Sequence, residues 1–209
     1  MSVSEDRTAV APAATAASPI ADPAPLGLAA FALTTFLLSA ANAHWMNGNA
    51  TGDAWLGYAF AYGGLAQLLA GMWEFRNRNV FGATAFSSYG AFWIGLGIWA
   101  IKVAPSAPAS TAYASHDVAW ILLAFAVFNT YMLLFSAQVN MAVFAVFLTL
   151  EATEIILAIG NFSNSPGTVQ FGGYVGIVTA ICAWYASAAG VSNGLAGRIR
   201  LPVGRPLLA

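Results

Sequence analysis

Six apolar runs of about 20 residues each divide this chain, at residues 26–45, 55–73, 84–101, 118–137, 141–160 and 169–191. An α-helix rises about 1.5 Å per residue, so about 20 residues cross a hydrocarbon core of about 30 Å. The fourth and fifth runs are separated only by Gln138, Val139 and Asn140, which predicts a tight helical hairpin. Charge supports the same reading. Only 7% of the 209 residues are charged, against about 25% in soluble domains, too few to cover a water-facing surface. The expected fold is an all-α integral membrane protein with six transmembrane helices per protomer.

The expected organisation is a disordered N-terminal tail over 1–21, a transmembrane domain over 22–197 and a cytoplasmic C-terminal tail over 198–209. The first segment is rich in Ala, Ser, Thr and Pro, and has no apolar core that would mark a cleaved signal. With six spans, both termini and the 2–3 and 4–5 loops share one side of the membrane. Arg7, Arg76, Arg78, Arg198, Arg200 and Arg205 fall there, and Lys102 falls opposite. That bias predicts cytoplasmic termini in a multi-pass protein of the cell (cytoplasmic or inner) membrane. Trp45, Trp55 and Trp73, at run ends, read as interfacial belts. Gly57, Gly64 and Gly71, then Gly90 and Gly97, then Gly172 and Gly176 form small-residue stripes that let helices approach closely, within or between protomers.

The composition excludes several classes of function. A net charge of −1 offers no footprint for nucleic acid. Cys182 is the lone cysteine, and His44 and His116 are far apart, so no metal site and no cofactor is expected. No nucleophile–histidine–acid set and no phosphate loop is visible, so the chain does not read as an enzyme or an ATP-driven pump. Intramembrane carboxylates stand out instead. Glu151 and Glu154 lie inside the fifth run, where a charge costs roughly 2.5–3.5 kcal/mol. Three residues apart, they share a helix face, which suggests a polar cavity, an interface or a proton-coupling site. Glu74, beside Arg76 and Arg78, reads as an interfacial anchor with a local ion pair. Thr34, Thr35, Ser39 and Asn42 either line a path for a small polar solute or bond their own helix. Gln67, Asn129, Thr130 and Asn161 are isolated polar groups in or near spans.

Three segments carry a resemblance. The first is Asp22-Pro-Ala-Pro-Leu-Gly-Leu28. The second is YGGLAQLLAGMWEFRNRNVFGATAFSSYGAFW, from Tyr62 to Trp93. The third is LAIGNFS, from Leu157 to Ser163, followed by FGGYVGI at Phe171 to Ile177. Together they resemble the acetate uptake transporter family, succinate–acetate permeases of the SatP/YaaH type. The resemblance implies a ring-shaped homohexamer in the lipid bilayer, each protomer holding its own narrow pathway. It implies a pore constriction of Phe31, Tyr89 and Leu150, which would raise the barrier to a hydrated ion by dewetting. It also implies that Asp22, Pro23, Ala24, Pro25 and Leu26 help form the substrate-binding region, with Thr34, Thr35 and Asn42 further along. Asp22 departs from the family's usual Asn. Glu151 and Glu154 depart from uncharged positions in bacterial relatives, and they are the candidates for proton coupling.

The function so implied is a transporter or channel-like permease for acetate and related small carboxylates, succinate among them, moving with protons. The alternative is a passive channel for a small neutral or cationic solute such as ammonia.

Overall fold

The computed structural model describes residues 20–46, 54–106 and 112–208. The expected N-terminal tail falls almost wholly outside them. Every regular element described is helical. In chain order these are α1 (Ala24–Asn42), α2 (residues 54–76), α3 (Val80–Ile98), α4 (Tyr113–Ser136), α5 (Met141–Phe162) and α6 (Pro166–Ala196). Five helices are long and apolar enough to cross a membrane: Ala24–Asn42, Val80–Ser106, Ala114–Ser136, Met141–Phe162 and Pro166–Ala196. The stretch α2 is broken differently. Its α-helical parts, Ala54–Phe60 and Gln67–Arg76, flank a π-helical turn at Ala61–Ala66. That turn contains Gly63 and Gly64, where α2 passes close to its neighbours: a Cβ on Gly63 would sit 2.5 Å from Thr34 Oγ1.

Polar caps precede three of the helices; α3 and α6 begin earlier than hydropathy alone places them, while α5 begins at Met141 as expected. Asn79 Oδ1 accepts from Gly82 N at 3.1 Å and starts α3. Asn140 Oδ1 accepts from Val143 N at 2.9 Å and starts α5. Ser165 and Pro166 start α6. At its other end α6 stops at Gly197, whose φ of 59° is the left-handed turn glycine favours.

The packing order around the bundle is α4, α5, α6, α1, then α2 and α3. The α3–α4 seam that closes the circuit is the loosest of these contacts. Small residues set the spacing elsewhere. A Cβ on Gly90 would lie 2.7 Å from the Leu68 backbone nitrogen, so the glycine stripes of α2 and α3 seat these two helices against each other. On α6, a Cβ on Gly173 would lie 2.5 Å from Ala43 N and 2.7 Å from Ser39 O of α1.

Two local expectations change. Trp45 and Trp73 are exposed, as an interfacial belt requires, but Trp55 is buried against Ala59, Trp93 and Leu96. Glu74 is fully buried, and its carboxylate accepts from Asn77 Nδ2 at 3.0 Å rather than pairing with either arginine. The segment after α6 is tied down at several points. Asn193 accepts from Arg200 N and Leu201 N and donates to Leu201 O. Tyr185 donates to Pro202 O at 2.6 Å. Val203 O accepts from Ala142 N, and Leu207 N donates to Ala137 O. Residues 200–208 thus form a strap across the α4–α5 turn.

The α1–α6 contact yields a test. The backbone atoms facing Gly173 are themselves hydrogen-bonded, Ala43 N to Ser39 O, and have little room to move. Gly173→Ala should cost about 1–3 kcal/mol through overpacking and lower the thermal unfolding midpoint of the purified protein. An unchanged midpoint would refute the close approach.

Candidate functional site

Four cavities follow one another through the bundle. An inner cavity of about 420 Å³ gathers Asp22, Ala24 and Pro25 of the α1 entry, Asn77 and Asn79, Asn140, Asn193, and Val203 of the strap. It shares Leu28 with a second cavity of about 20 Å³. The second and a third, of about 40 Å³, share Phe31, Tyr89 and Leu150. The third shares Leu38, Asn42, Leu122 and Leu157 with a fourth of about 210 Å³. Among the described residues, no cationic side chain lines any of the four.

The second and third cavities therefore meet at side chains of α1, α3 and α5, one from each. Phe31 and Tyr89 meet edge to face at 5.7 Å and 67°, and both are buried with Leu150. Tyr89 is also packed by Phe92, Phe125 and Phe128, with ring centroids 5.5–6.1 Å away. Those rings fill the loose α3–α4 seam at this depth.

A polar network crosses behind the ring of Tyr89. Its hydroxyl lies 3.0 Å from Asn129 Oδ1 and 3.2 Å from Glu154 Oε1. Asn129 Nδ2 donates to Phe147 O at 3.0 Å and to Glu151 Oε2 at 2.7 Å. Glu151 Oε1 accepts from Thr130 Oγ1 at 2.8 Å. The two glutamates therefore divide. Glu154 is buried and lines the third cavity, whereas Glu151 is half-buried and lies off all four, between α4 and α5.

The remaining candidates separate along the path. Asp22 Oδ1 accepts from Ala24 N at 3.0 Å and so caps the start of α1 at the inner mouth. Pro25 O accepts from Ser187 Oγ at 2.6 Å, which fixes this entry against α6. Pro23 and Leu26 do not line the cavity, and Leu26 is exposed. Thr35 and Asn42 line the third cavity. Thr34 lies off the path and bonds back to Ala30 O at 3.1 Å. Gln67 and Trp93 are among the cavity residues that the sequence did not mark as site residues. Gln67 lines the second cavity and Trp93 the third. Trp93 stands four residues after Tyr89, a spacing that puts both on one helical face.

Comparison with known proteins decides the family. Residues 7–205 match the model of the GPR1/FUN34/yaaH family. The chain belongs to this family. Acetate permease A of Emericella nidulans is 37% identical over 198 residues, covering 88% of this chain and 65% of that protein. The chain thus spans just under two thirds of the length of this fungal relative. The succinate-acetate/proton symporter SatP of Escherichia coli is 35% identical over 185 residues, covering 88% of this chain and 96% of that protein. The solved structure of the bacterial acetate channel SatP superimposes with a TM-score of 0.81 at 31% identity, covering 88% of this chain and 99% of the other. The resemblance to succinate–acetate permeases is thereby established, and the chain is a membrane protein of several apolar helices. Asp22 lines the first cavity, Glu154 the third, and Glu151 none of the four.

Asn129 links the two glutamates to the neck, so its removal should be costly. Asn129→Leu removes the donor to Glu151 Oε2 and Phe147 O and one of the two acceptors of the Tyr89 hydroxyl. Leaving Glu151 Oε2 without that donor costs about 1–3 kcal/mol. Thr130→Val removes a hydroxyl that lies 2.8 Å from both Glu151 Oε1 and Ala126 O, at the exposed end of the network. Thermal unfolding in detergent should drop much further for Asn129→Leu than for Thr130→Val; equal drops would refute a central role for Asn129.

Proposed function

We propose that the chain carries acetate and related small carboxylates across a membrane along the four-cavity path, with Phe31, Tyr89 and Leu150 as its constriction. The observation that carries this reading is the pair of small cavities meeting at those three side chains. An apolar neck of this width opposes a hydrated ion, because water stripped from the charge finds no polar replacement there. A small acid with few polar atoms crosses at lower cost. The kinship to the succinate-acetate/proton symporter SatP and to acetate permease A supports the same substrate class, succinate included.

The stretch α2 is read as the sixth span, its π-helical turn accommodated against α1 and α3. Asp22, Asn77, Asn140 and Val203 meet around one cavity, which supports both chain ends lying on one face of the membrane. The arginine bias makes that face cytoplasmic, in the cell membrane. Assembly as a homohexamer, each protomer with its own path, completes the reading. Proton coupling is assigned to Glu154, the carboxyl that borders the path. Glu151 acts on it through Asn129 and Tyr89.

Uptake of labelled acetate into proteoliposomes, with and without an inward proton gradient, tests the transport reading. Saturable uptake above protein-free vesicles, stimulated by the gradient, is the expected result. No protein-dependent acetate flux in either condition would sink it, and methylammonium flux in its place would favour the ammonia-like alternative. Phe31→Ala widens the neck, so uptake of longer monocarboxylates should rise relative to acetate. An unchanged size preference would count against the neck.

A further inference from the structure

Aromatic rings fill the α3–α4 seam at the depth of Tyr89, but nearer the inner mouth the seam is open. A groove of about 460 Å³ runs there, walled by Val80, Phe81 and Thr84 of α3 and by Tyr131, Met132 and Phe135 of α4. None of these six side chains lines the four cavities of the path. Met132 is buried, and Phe81 packs on Phe147 with ring centroids 5.2 Å apart, so the groove has a protein floor. Val80, Tyr131 and Phe135 are exposed, so its other side is open. Tyr131 packs on Phe128 at 5.2 Å and Phe128 on Tyr89 at 5.5 Å. The rim at the inner end is different in character. Gln138 and Val139 of the α4–α5 turn close the groove there. Arg78 stands two residues before Val80. Arg205 lies in the strap between Gly204, which abuts Met141, and Leu207, whose N–H donates to Ala137 O at 2.7 Å. The strap therefore carries Arg205 onto the turn that bears Gln138 and Val139. Both arginines are exposed. Among the described residues, neither guanidinium group nor the Gln138 amide has a hydrogen-bond or ion-pair partner.

We propose that this groove seats an acyl chain of one anionic phospholipid, whose phosphate is held at the rim by Arg78, Arg205 and the Gln138 amide. The site needs only the bilayer, not a transported substrate. An apolar gap at this depth excludes water, and leaving it empty forfeits dispersion contacts along its lining, so a hydrocarbon chain fills it. The rim selects the head. Two unpaired guanidinium groups match phosphate oxygens, and the amide adds a further donor. A zwitterionic head would bring its own cation beside the arginines. A second copy of the chain would have to offer carboxylates to the same rim. Among the described residues the exposed carboxyls are Asp22 and Asp117. Asp22 lines the inner cavity, and Asp117 lies at the other end of α4 from the rim. A lipid therefore satisfies both the apolar wall and the charged rim. It also backs the ring ladder from Tyr131 through Phe128 to Tyr89 on the side where α3 and α4 do not meet.

Native mass spectrometry of the full-length protein tests this. In detergent, with equal amounts of phosphatidylglycerol and phosphatidylcholine of the same chains, the protein should retain phosphatidylglycerol preferentially. Arg78→Gln and Arg205→Gln should each lower that preference about fivefold. Arg198→Gln, outside the rim, should leave it unchanged. Equal retention of the two lipids by wild type would overturn the site. So would a loss in Arg198→Gln as deep as in the other two, since that marks a diffuse surface charge. Thr84→Trp fills the groove and leaves the arginines in place, so it should lower retention of both lipids. Unchanged retention would confine binding to the surface and overturn the groove. The arginine variants lie on the exposed rim and keep the test open if Thr84→Trp fails to fold. In proteoliposomes containing phosphatidylglycerol, a photoreactive benzophenone side chain placed at Phe135 should crosslink to lipid. Crosslinks to a second copy of the chain in place of lipid would overturn the proposal and make this face a protein interface.

Discussion

The Asn129 amide fixes the centre of the molecule. Its two N–H groups hold α4 against α5, and its oxygen holds the hydroxyl of Tyr89 on α3. Those three helices meet least closely at the α3–α4 seam, where small residues do not bring the backbones together. Aromatic rings fill that seam instead, and a ring can slide along its neighbours unless its tip is anchored. In a bilayer such an anchor cannot be traded for water, so the position of Tyr89 follows from the Asn129 amide and the Glu154 carboxyl that meet its hydroxyl.

Around this centre the helices are placed by two different means. Glycines on α2, α3 and α6 bring backbones close enough that a single methyl group would collide. This gives α1 a rigid seat between α6 and α2, and holds Phe31 still. On the opposite side, α4 and α5 are joined by a short turn and by side-chain bonds around Glu151. The path runs between a side set by backbone contact and a side set by polar side chains. Glu151 and Glu154 belong to the second.

Much of this was legible in the sequence, but unevenly. Apolar length located the helices, since no other element hides so many consecutive peptide groups from hydrocarbon. The true starts of α3 after Asn79 and α6 after Ser165 were blurred, because capping residues are polar and hydropathy counts them as loop. The π-helical turn of α2 was invisible, as it depends on where Gly63 meets Thr34 rather than on any local preference. Phe31, Tyr89 and Leu150 were reached through resemblance, not through spacing. Glu151 and Glu154 looked like one pair, since three residues place side chains on one helical face. Their separation comes from partners 21 to 65 residues away in the chain, which no local pattern encodes. Asn129 was visible only as an isolated amide for the same reason.

The strap formed by residues 200–208 carries a consequence for how the protein is made. Val203 belongs to the wall of the inner cavity, and its carbonyl completes the first turn of α5 by accepting from Ala142 N. Both partners of that bond reach the bilayer at different times, α5 first and the strap only after α6 has left the ribosome. Until then the leading end of α5 has an unsatisfied N–H and the cavity has a gap. The mouth of the path is thus a late product of biogenesis, closed by the segment that follows the last helix.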